Sequence, residues 1–164
     1  MQIIPKENPR EIVREYAPMV YRLAYARTRS RSDAEDLCQD VMLRLFRKDY
    51  RFDSGEHLKR WLIRATVQRA GDLFRSAWRR RVIVTEALPE FAVCDVEKSP
   101  LSAALDRLPG KYLSVVHLHY YEGYSTDEIA KILGLKPSTV RTRLVRAREL
   151  LKAELTTERR EDRD

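Results

Sequence analysis

Apolar residues recur along this chain at intervals of three and four and never in a strict alternation, and glycine and proline are sparse, at 5 and 7 of 164 residues. That periodicity predicts an all-α protein, with four or five helices before residue 81 and about four after residue 99. A first helix is expected from Pro9 to Arg29, with Ile12, Val13, Tyr16, Met19, Val20 and Leu23 on one side and Pro18 kinking it. Ser32 is expected to open a second helix through an S-x-x-E capping box with Glu35, and Ala34, Leu37, Cys38, Val41 and Leu45 form its buried stripe. After the polar connection DYRFDSGEH, a third long helix repeats Ile63, Val67, Ala70, Phe74 and Ala77 as its inner face.

Between residues 82 and 99 the helical period stops; Pro89, Pro100 and a small excess of Glu90, Asp95 and Glu97 over Lys98 mark a linker. Two small helical domains joined by a flexible linker follow: 1–81, the linker 82–99, 100–155, and a charged tail 156–164 read as solvated and frayed. Ser99-Pro100 has the Ser N-cap and Pro N1 arrangement and starts a helix with Leu101, Ala104, Leu105 and Leu108 inward. A second helix follows from about Pro109 to Glu122. Then GYSTDEIAKILGLKPSTVRTRLVRARELL reads as a helix-turn-helix. Ser125 and Glu128 make a capping box, Ile129, Ala130 and Leu133 face inward, Gly134 closes the helix, and Pro137 begins the next. In that last helix Val140, Leu144, Ala147 and Leu151 are the buried set, which leaves Ser138, Arg141, Thr142, Val145 and Arg146 outside.

Charge gives this face a meaning. Lys+Arg 32 against Asp+Glu 25 leaves a net +7 and a pI near 9.6, which favours a polyanionic partner, nucleic acid first and an anionic membrane surface second. The outer face of the last helix offers guanidinium forks for guanine edges, and a hydroxyl and a small apolar group for neighbouring bases or a thymine methyl. Cys38 and Cys94 are too few for a disulfide framework and lack zinc spacing, so a reducing compartment suits them and Cys38 reads as core filler. His117 and His119 stand about 200° apart on a helix and do not share a metal. The start MQIIPKENPREIV has no secretory pattern and no segment is long and apolar enough for a membrane span, so a cytoplasmic protein is expected. No cofactor, metal or small-molecule substrate is expected. An enzyme built on Asp33, Glu35, Asp36 and Asp40 is disfavoured, because only Asp36 and Asp40 share a face and no histidine or glycine-rich loop supports them.

DAEDLCQDVMLRLF, a short loop, WLIRATVQRAGDLFR, the acidic linker, LPGKYLSVVHLHYYEGYSTDEIAKILGL and STVRTRLVRARELL, in that order, resemble an extracytoplasmic-function (ECF) sigma factor of the sigma-70 family over nearly all of residues 10 to 155. The resemblance implies a non-enzymatic, cytoplasmic transcription-initiation subunit of a bacterial stress response. Domain 1–81 would be region 2 and domain 100–155 region 4. The partners implied are core RNA polymerase (clamp and flap), promoter DNA (−35 duplex and −10 single strand) and an anti-sigma factor. It places −35 base contacts on Arg141, Thr142, Val145 and Arg146 and phosphate contacts on Lys136, Ser138 and Thr139, although Lys136 and Pro137 depart from the family's more usual Ser at that cap. It places −10 capture on the basic third helix and the loop before it. With Ile63, Val67, Ala70 and Phe74 inward, the wheel puts Trp61, Gln68 and Asp72 on the far side, flanked by Arg64 and Arg75; Trp61 either stacks on a base or packs between helices. Gln68 stands where many members have Asn. On the acidic helix, Asp36, Gln39, Asp40 and Leu43 match the polymerase-clamp positions, and Leu43 is an apolar residue centred in a polar face. The alternative is a free-standing helix-turn-helix regulator, which would need a dimerisation surface for a two-fold site; no heptad seam beyond the core stripes is visible.

Overall fold

The computed structural model describes residues 2–76 and 99–163. Ala77, Cys94, the side chain of Phe74 and the expected linker up to Lys98 lie outside them. The chain divides into two compact units, 1–91 and 92–164, and the described residues are helical with a single isolated backbone bridge, as the sequence pattern predicts.

The first unit is a bundle of α1 (Pro9–Thr28), α2 (Arg31–Arg47) and α3 (Gly55–Ser76), each packed on the other two. Val20, Leu23 and Ala24 of α1, Ala34, Val41 and Leu45 of α2 and Leu58, Leu62 and Ile63 of α3 are all fully buried and form the core of the bundle. Pro18 sits inside α1, which continues through it. The helix ends on Arg29 in the left-handed region, at φ 53°, with its N–H donating to the Tyr25 carbonyl at 2.7 Å. That reversal puts Ser30 into extended backbone at once, so Ser30 becomes the N-cap of α2 and its Oγ accepts from the Asp33 N–H at 3.4 Å. The cap expected at Ser32 with Glu35 therefore does not form; Ser32 lies inside the helix. The local motif was the better match, but the left-handed residue in front of Ser30 decided where the helix begins.

A short 3₁₀ turn, Pro5–Glu7, precedes α1. Ile3 and Phe52 exchange two backbone hydrogen bonds, at 2.7 and 2.9 Å, and Lys6 pairs with Asp49 at 2.8 Å, so the N-terminal segment is fastened to the α2–α3 connection.

In the second unit α4 (Pro100–Asp106), α5 (Gly110–Val116) and α6 (Thr126–Leu133) pack around α7 (Pro137–Glu161), or against the π-helical turn His117–Tyr121 that continues α5. Ser99 caps α4 as predicted, its Oγ accepting from the Ser102 N–H at 3.1 Å. Leu101, predicted inward, is 50% exposed; in the seven-residue α4 it is Ala104 that is buried, and Leu108, just past the helix, joins Ala147 of α7 in the core. Leu133 and Leu151 are also only partly covered, Ile132 taking the inner place in α6. The tail is not frayed where expected: α7 continues to Glu161, and Arg107, the C-cap residue of α4, holds Glu154 at 2.7 Å.

The predicted helix-turn-helix forms from α6 and α7. Ser125 Oγ accepts from the Glu128 N–H at 3.2 Å while Glu128 accepts from the Ser125 N–H at 2.8 Å, a complete capping box. Gly134, at φ 68°, turns the chain in the left-handed region, where a side chain would be strained, and α7 starts three residues later.

Candidate nucleic-acid interface

On α7 the inward set Val140, Leu144 and Ala147 is fully covered. A helix has 3.6 residues per turn, so burying that stripe turns Ser138, Arg141, Thr142, Val145 and Arg146 outward, and all five are exposed. Val145 is 49% exposed, an apolar side chain left in water between two arginines. Thr142 Oγ1 donates to the Ser138 carbonyl at 2.9 Å, which fixes its rotamer and leaves its lone pairs outward. Lys136 is the N-cap of α7 and makes no side-chain cap, so the departure from Ser at this position leaves the first turn without a side-chain acceptor. Lys136 is exposed and Thr139 half-buried.

On α3, Arg64, Gln68, Asp72 and Arg75 form an exposed line, as predicted, with Asp72 and Arg75 paired at 2.5 Å. Trp61 does not stand free on that line. The buried face of α3 is Leu58, Leu62, Ile63, Ala65, Thr66 and Ala70, with Val67 only half-buried. Its centre lies about 80° around the helix from the Ile63-Val67-Ala70 stripe read from the sequence, at 100° per residue. That rotation brings Trp61 to the edge of the packed face. There its ring meets Tyr50 at 4.9 Å and Phe52 at 6.1 Å between centroids, so it packs against the preceding loop and keeps one part in solvent. Tyr50 was not among the predicted residues. The signal was present as the Tyr-x-Phe spacing of DYRFD, since alternate side chains of an extended segment point the same way. The rings of Tyr50 and Phe52 do stack, at 6.1 Å.

On α2 the stripe Ala34, Leu37, Cys38, Val41 and Leu45 is buried as predicted, joined by Met42. Cys38 donates its S–H to the Ala17 carbonyl at 3.6 Å, and burial pushes its thiol up to about 12. Leu43 is 50% exposed. Asp36, Gln39 and Asp40 around it are half-buried. Partial burial, then the Asp33 and Glu35 charges, raises the Asp36 carboxyl above its ordinary range. Asp40 is ion-paired with Arg69 of α3, a tertiary contact that a single-helix wheel does not contain.

One further surface was missed. An apolar groove on the second unit runs between α4, α5 and α7, with Leu101, Leu105, Val116, Leu151 and Leu155 along it and Arg148 and Lys152 at its edge. Its Tyr120 accepts from Arg148 Nε at 2.5 Å. The histidines of the HxH pair separate in the π turn: His117 stacks on Tyr121 and reaches Glu122 at 3.5 Å, while His119 bonds the Tyr124 carbonyl at 2.8 Å. No helix among the described residues is long and apolar enough to cross a membrane.

Residues 12–80 match Sigma-70 region 2, and residues 99–151 match Sigma-70, region 4. The chain is 38% identical over 160 residues to the ECF RNA polymerase sigma factor SigE of Mycolicibacterium smegmatis, a match covering 87% of this chain and 59% of that protein. It is 32% identical over 142 residues to the RNA polymerase sigma factor SigV of Bacillus subtilis, covering 84% of this chain and 85% of that one. The fold is shared with the sigma factor RpoE of Bartonella quintana, solved with the anti-sigma factor NepR: TM-score 0.71 and 23% identity, over 92% of this chain and 98% of that one. Two helical units, one carrying a helix-turn-helix whose outer face is basic, thus coincide with regions 2 and 4, and the chain belongs to the ECF sigma factors of the sigma-70 family.

Proposed function

We propose that this protein is the promoter-specificity subunit of a bacterial RNA polymerase: it docks on the core enzyme through α2, reads a −35 duplex with α7 and captures −10 bases at the loop and outer face of α3. It works in the cytoplasm, has no active site of its own, and divides into region 2 over 1–81, a linker over 82–99 and region 4 over 100–155. The observation that carries the reading is Leu43, half in water at the centre of the Asp36-Gln39-Asp40 face. An apolar centre within a polar rim fits a protein interface, and a free-standing DNA-binding regulator has no use for one on the domain that lacks the helix-turn-helix. The acidic rim also repels phosphate, which keeps DNA on α3.

Arg141, Thr142, Val145 and Arg146 contact −35 bases, and Lys136, Ser138 and Thr139 hold phosphates at the open first turn of α7. Trp61, with Tyr50 behind it, offers an aromatic surface for an unstacked −10 base, worth about 1 to 3 kcal/mol per base; Arg64, Gln68, Asp72 and Arg75 line the strand's path. The groove holding Leu101 and Leu155 receives the polymerase flap. An anti-sigma factor covering these surfaces is the natural inhibitor, by analogy with the RpoE complex with NepR.

Run-off transcription with core RNA polymerase tests the proposal. Addition of the protein should give promoter-dependent initiation that core alone does not. No core-dependent initiation on any promoter drawn from a genomic library, together with tight stand-alone duplex binding, would establish the regulator instead.

A further inference from the structure

The segment before α1 is tied to the α2–α3 loop at two points that bracket Tyr50. Ahead of Tyr50, Lys6 Nζ donates to Asp49 Oδ1 at 2.8 Å; after it, Ile3 and Phe52 exchange backbone hydrogen bonds at 2.7 and 2.9 Å as an isolated antiparallel bridge. Just Tyr50 and Arg51 lie between the two fastenings. Among the described residues, the bridge supplies the loop's backbone hydrogen bonds to another element. The links that follow, Asp53 N–H donating to His57 Nδ1 at 3.2 Å and His57 N–H donating to Ser54 Oγ at 3.1 Å, belong to the start of α3.

Both sides of the loop are braced by the body of the first unit. Pro5 is buried, and its 3₁₀ turn packs on α1 and α2. Gly55, the first residue of α3, lies so close to α1 that a Cβ there would come within 2.9 Å of Tyr16 Oη. Phe52, 2% exposed, is the hub between them: its ring lies 6.1 Å from those of Tyr50 and Trp61 and edge-on to His57 at 5.1 Å. The bridge to Ile3 therefore fixes the backbone of the residue on which both Tyr50 and Trp61 rest. Neither fastening does much for global stability, because an exposed ion pair contributes little and one bridge makes no sheet. Their effect is local. A loop without hydrogen-bonded structure of its own samples many conformations, and binding weakens by the fraction of time the competent one is absent. Tying Asp49 and Phe52 to the body raises that fraction before any base arrives.

We infer that Ile3 and Lys6 are positioning residues for −10 capture: they hold the loop from Asp49 to Phe52 so that Tyr50 stands behind Trp61 before the promoter strand is bound. The inference rests on the sigma reading above and adds to it residues that precede the region 2 match, which begins at residue 12. The strap acts on the aromatic surface through the loop and touches no base itself.

The test uses the full chain with core RNA polymerase on a promoter selected by run-off transcription, with a fluorescent base analogue at −10 to report opening. Lys6→Glu should lower the yield of open complexes roughly threefold, and Ile3→Pro, which lacks the N–H that Phe52 accepts, roughly tenfold, the range one net hydrogen bond spans. Asp49→Lys alone should lower it too, although it adds a positive charge, and Lys6→Glu combined with Asp49→Lys should restore the wild-type yield. Core association and affinity for the −35 duplex should stay unchanged throughout. In a Trp78→Phe background, where Trp61 is the remaining tryptophan, acrylamide quenching of the free chain should rise in each single variant and return in the double one. Wild-type opening in Lys6→Glu and Ile3→Pro overturns the inference. So does a gain from Asp49→Lys, or a Lys6→Glu loss that Asp49→Lys does not recover, the pattern of a lysine bound directly to phosphate. A loss of core association as large as the loss of opening overturns it as well, since the segment would then support the whole first unit. A wild-type chain that opens no promoter with core polymerase overturns the sigma reading instead, and the quenching contrast still decides the positioning.

Discussion

Leu43 and Cys38 stand on opposite faces of α2, and their exposures assign them opposite tests. Leu43 is half in water, so Leu43→Asp should leave the thermal unfolding curve of the free chain unchanged and abolish association with core polymerase in a pull-down. Cys38 is sealed in the core with its thiol pushed up to about 12. In a Cys94→Ser background it should not react with iodoacetamide at pH 8 until the protein is unfolded. The sign of its pH linkage follows. Between the ordinary thiol range near 9 and about 12 the unfolded chain has lost the proton that the folded chain keeps, so this contribution to stability, complete below that range, falls as pH rises through it. Asp36 works in the same direction at acid pH: its carboxyl is raised, so its charge disfavours the fold once pH passes the ordinary carboxylate range. Asp36→Asn should therefore slightly raise the melting temperature at pH 7 while weakening polymerase binding, the stability cost expected of a residue kept for the proposed interface.

At the scale of the element, the capping residues distinguish what a local motif says from what the chain does. Ser30 rather than Ser32 caps α2. Ser30→Ala should destabilise the chain by about 1 kcal/mol in urea titration and Ser32→Ala should be close to neutral; the reverse order would contradict the assignment of that helix start. The α6 capping box and the left-handed Gly134 were both legible in the sequence, because each depends on residues within four positions of one another. The α3 face was legible only in part. Its period was readable but not its phase, since a stripe that includes Val67 fits Ile63 and Ala70 as well as one that includes Leu58, Leu62 and Thr66 does, and packing on α1 and α2 buried the second and left Val67 half-covered. That choice moved Trp61 from the outer line to the edge of the core, beside Tyr50. The exposed line Arg64, Gln68, Asp72 and Arg75 survived the rotation because it lies far from both stripes.

On the proposed reading, two kinds of surface divide the binding work: apolar centres for protein, exposed cations for DNA. Arg146→Ala should cost about 1 to 3 kcal/mol at the −35 site and relax specificity there, measured as the ratio of affinities for selected and scrambled duplexes. Leu101→Asp, in the half-exposed rim of the α4–α7 groove, should lower −35-dependent transcription without changing that ratio, because it alters the surface proposed for the flap and not the reading face.

The sequence by itself determined the helical class, the family, the helix-turn-helix and the outer face of α7. These follow from periodicity, caps and composition, which are carried by residues close together in the chain. Tertiary structure alone decided the start of α2, the phase of α3, the Tyr50–Trp61 pair and the Asp40–Arg69 bridge. Apart from the helix start, which a single left-handed residue set, each is a relation between elements, fixed only when three helices compete to bury the same apolar area, and no single-helix pattern contains the outcome of that competition.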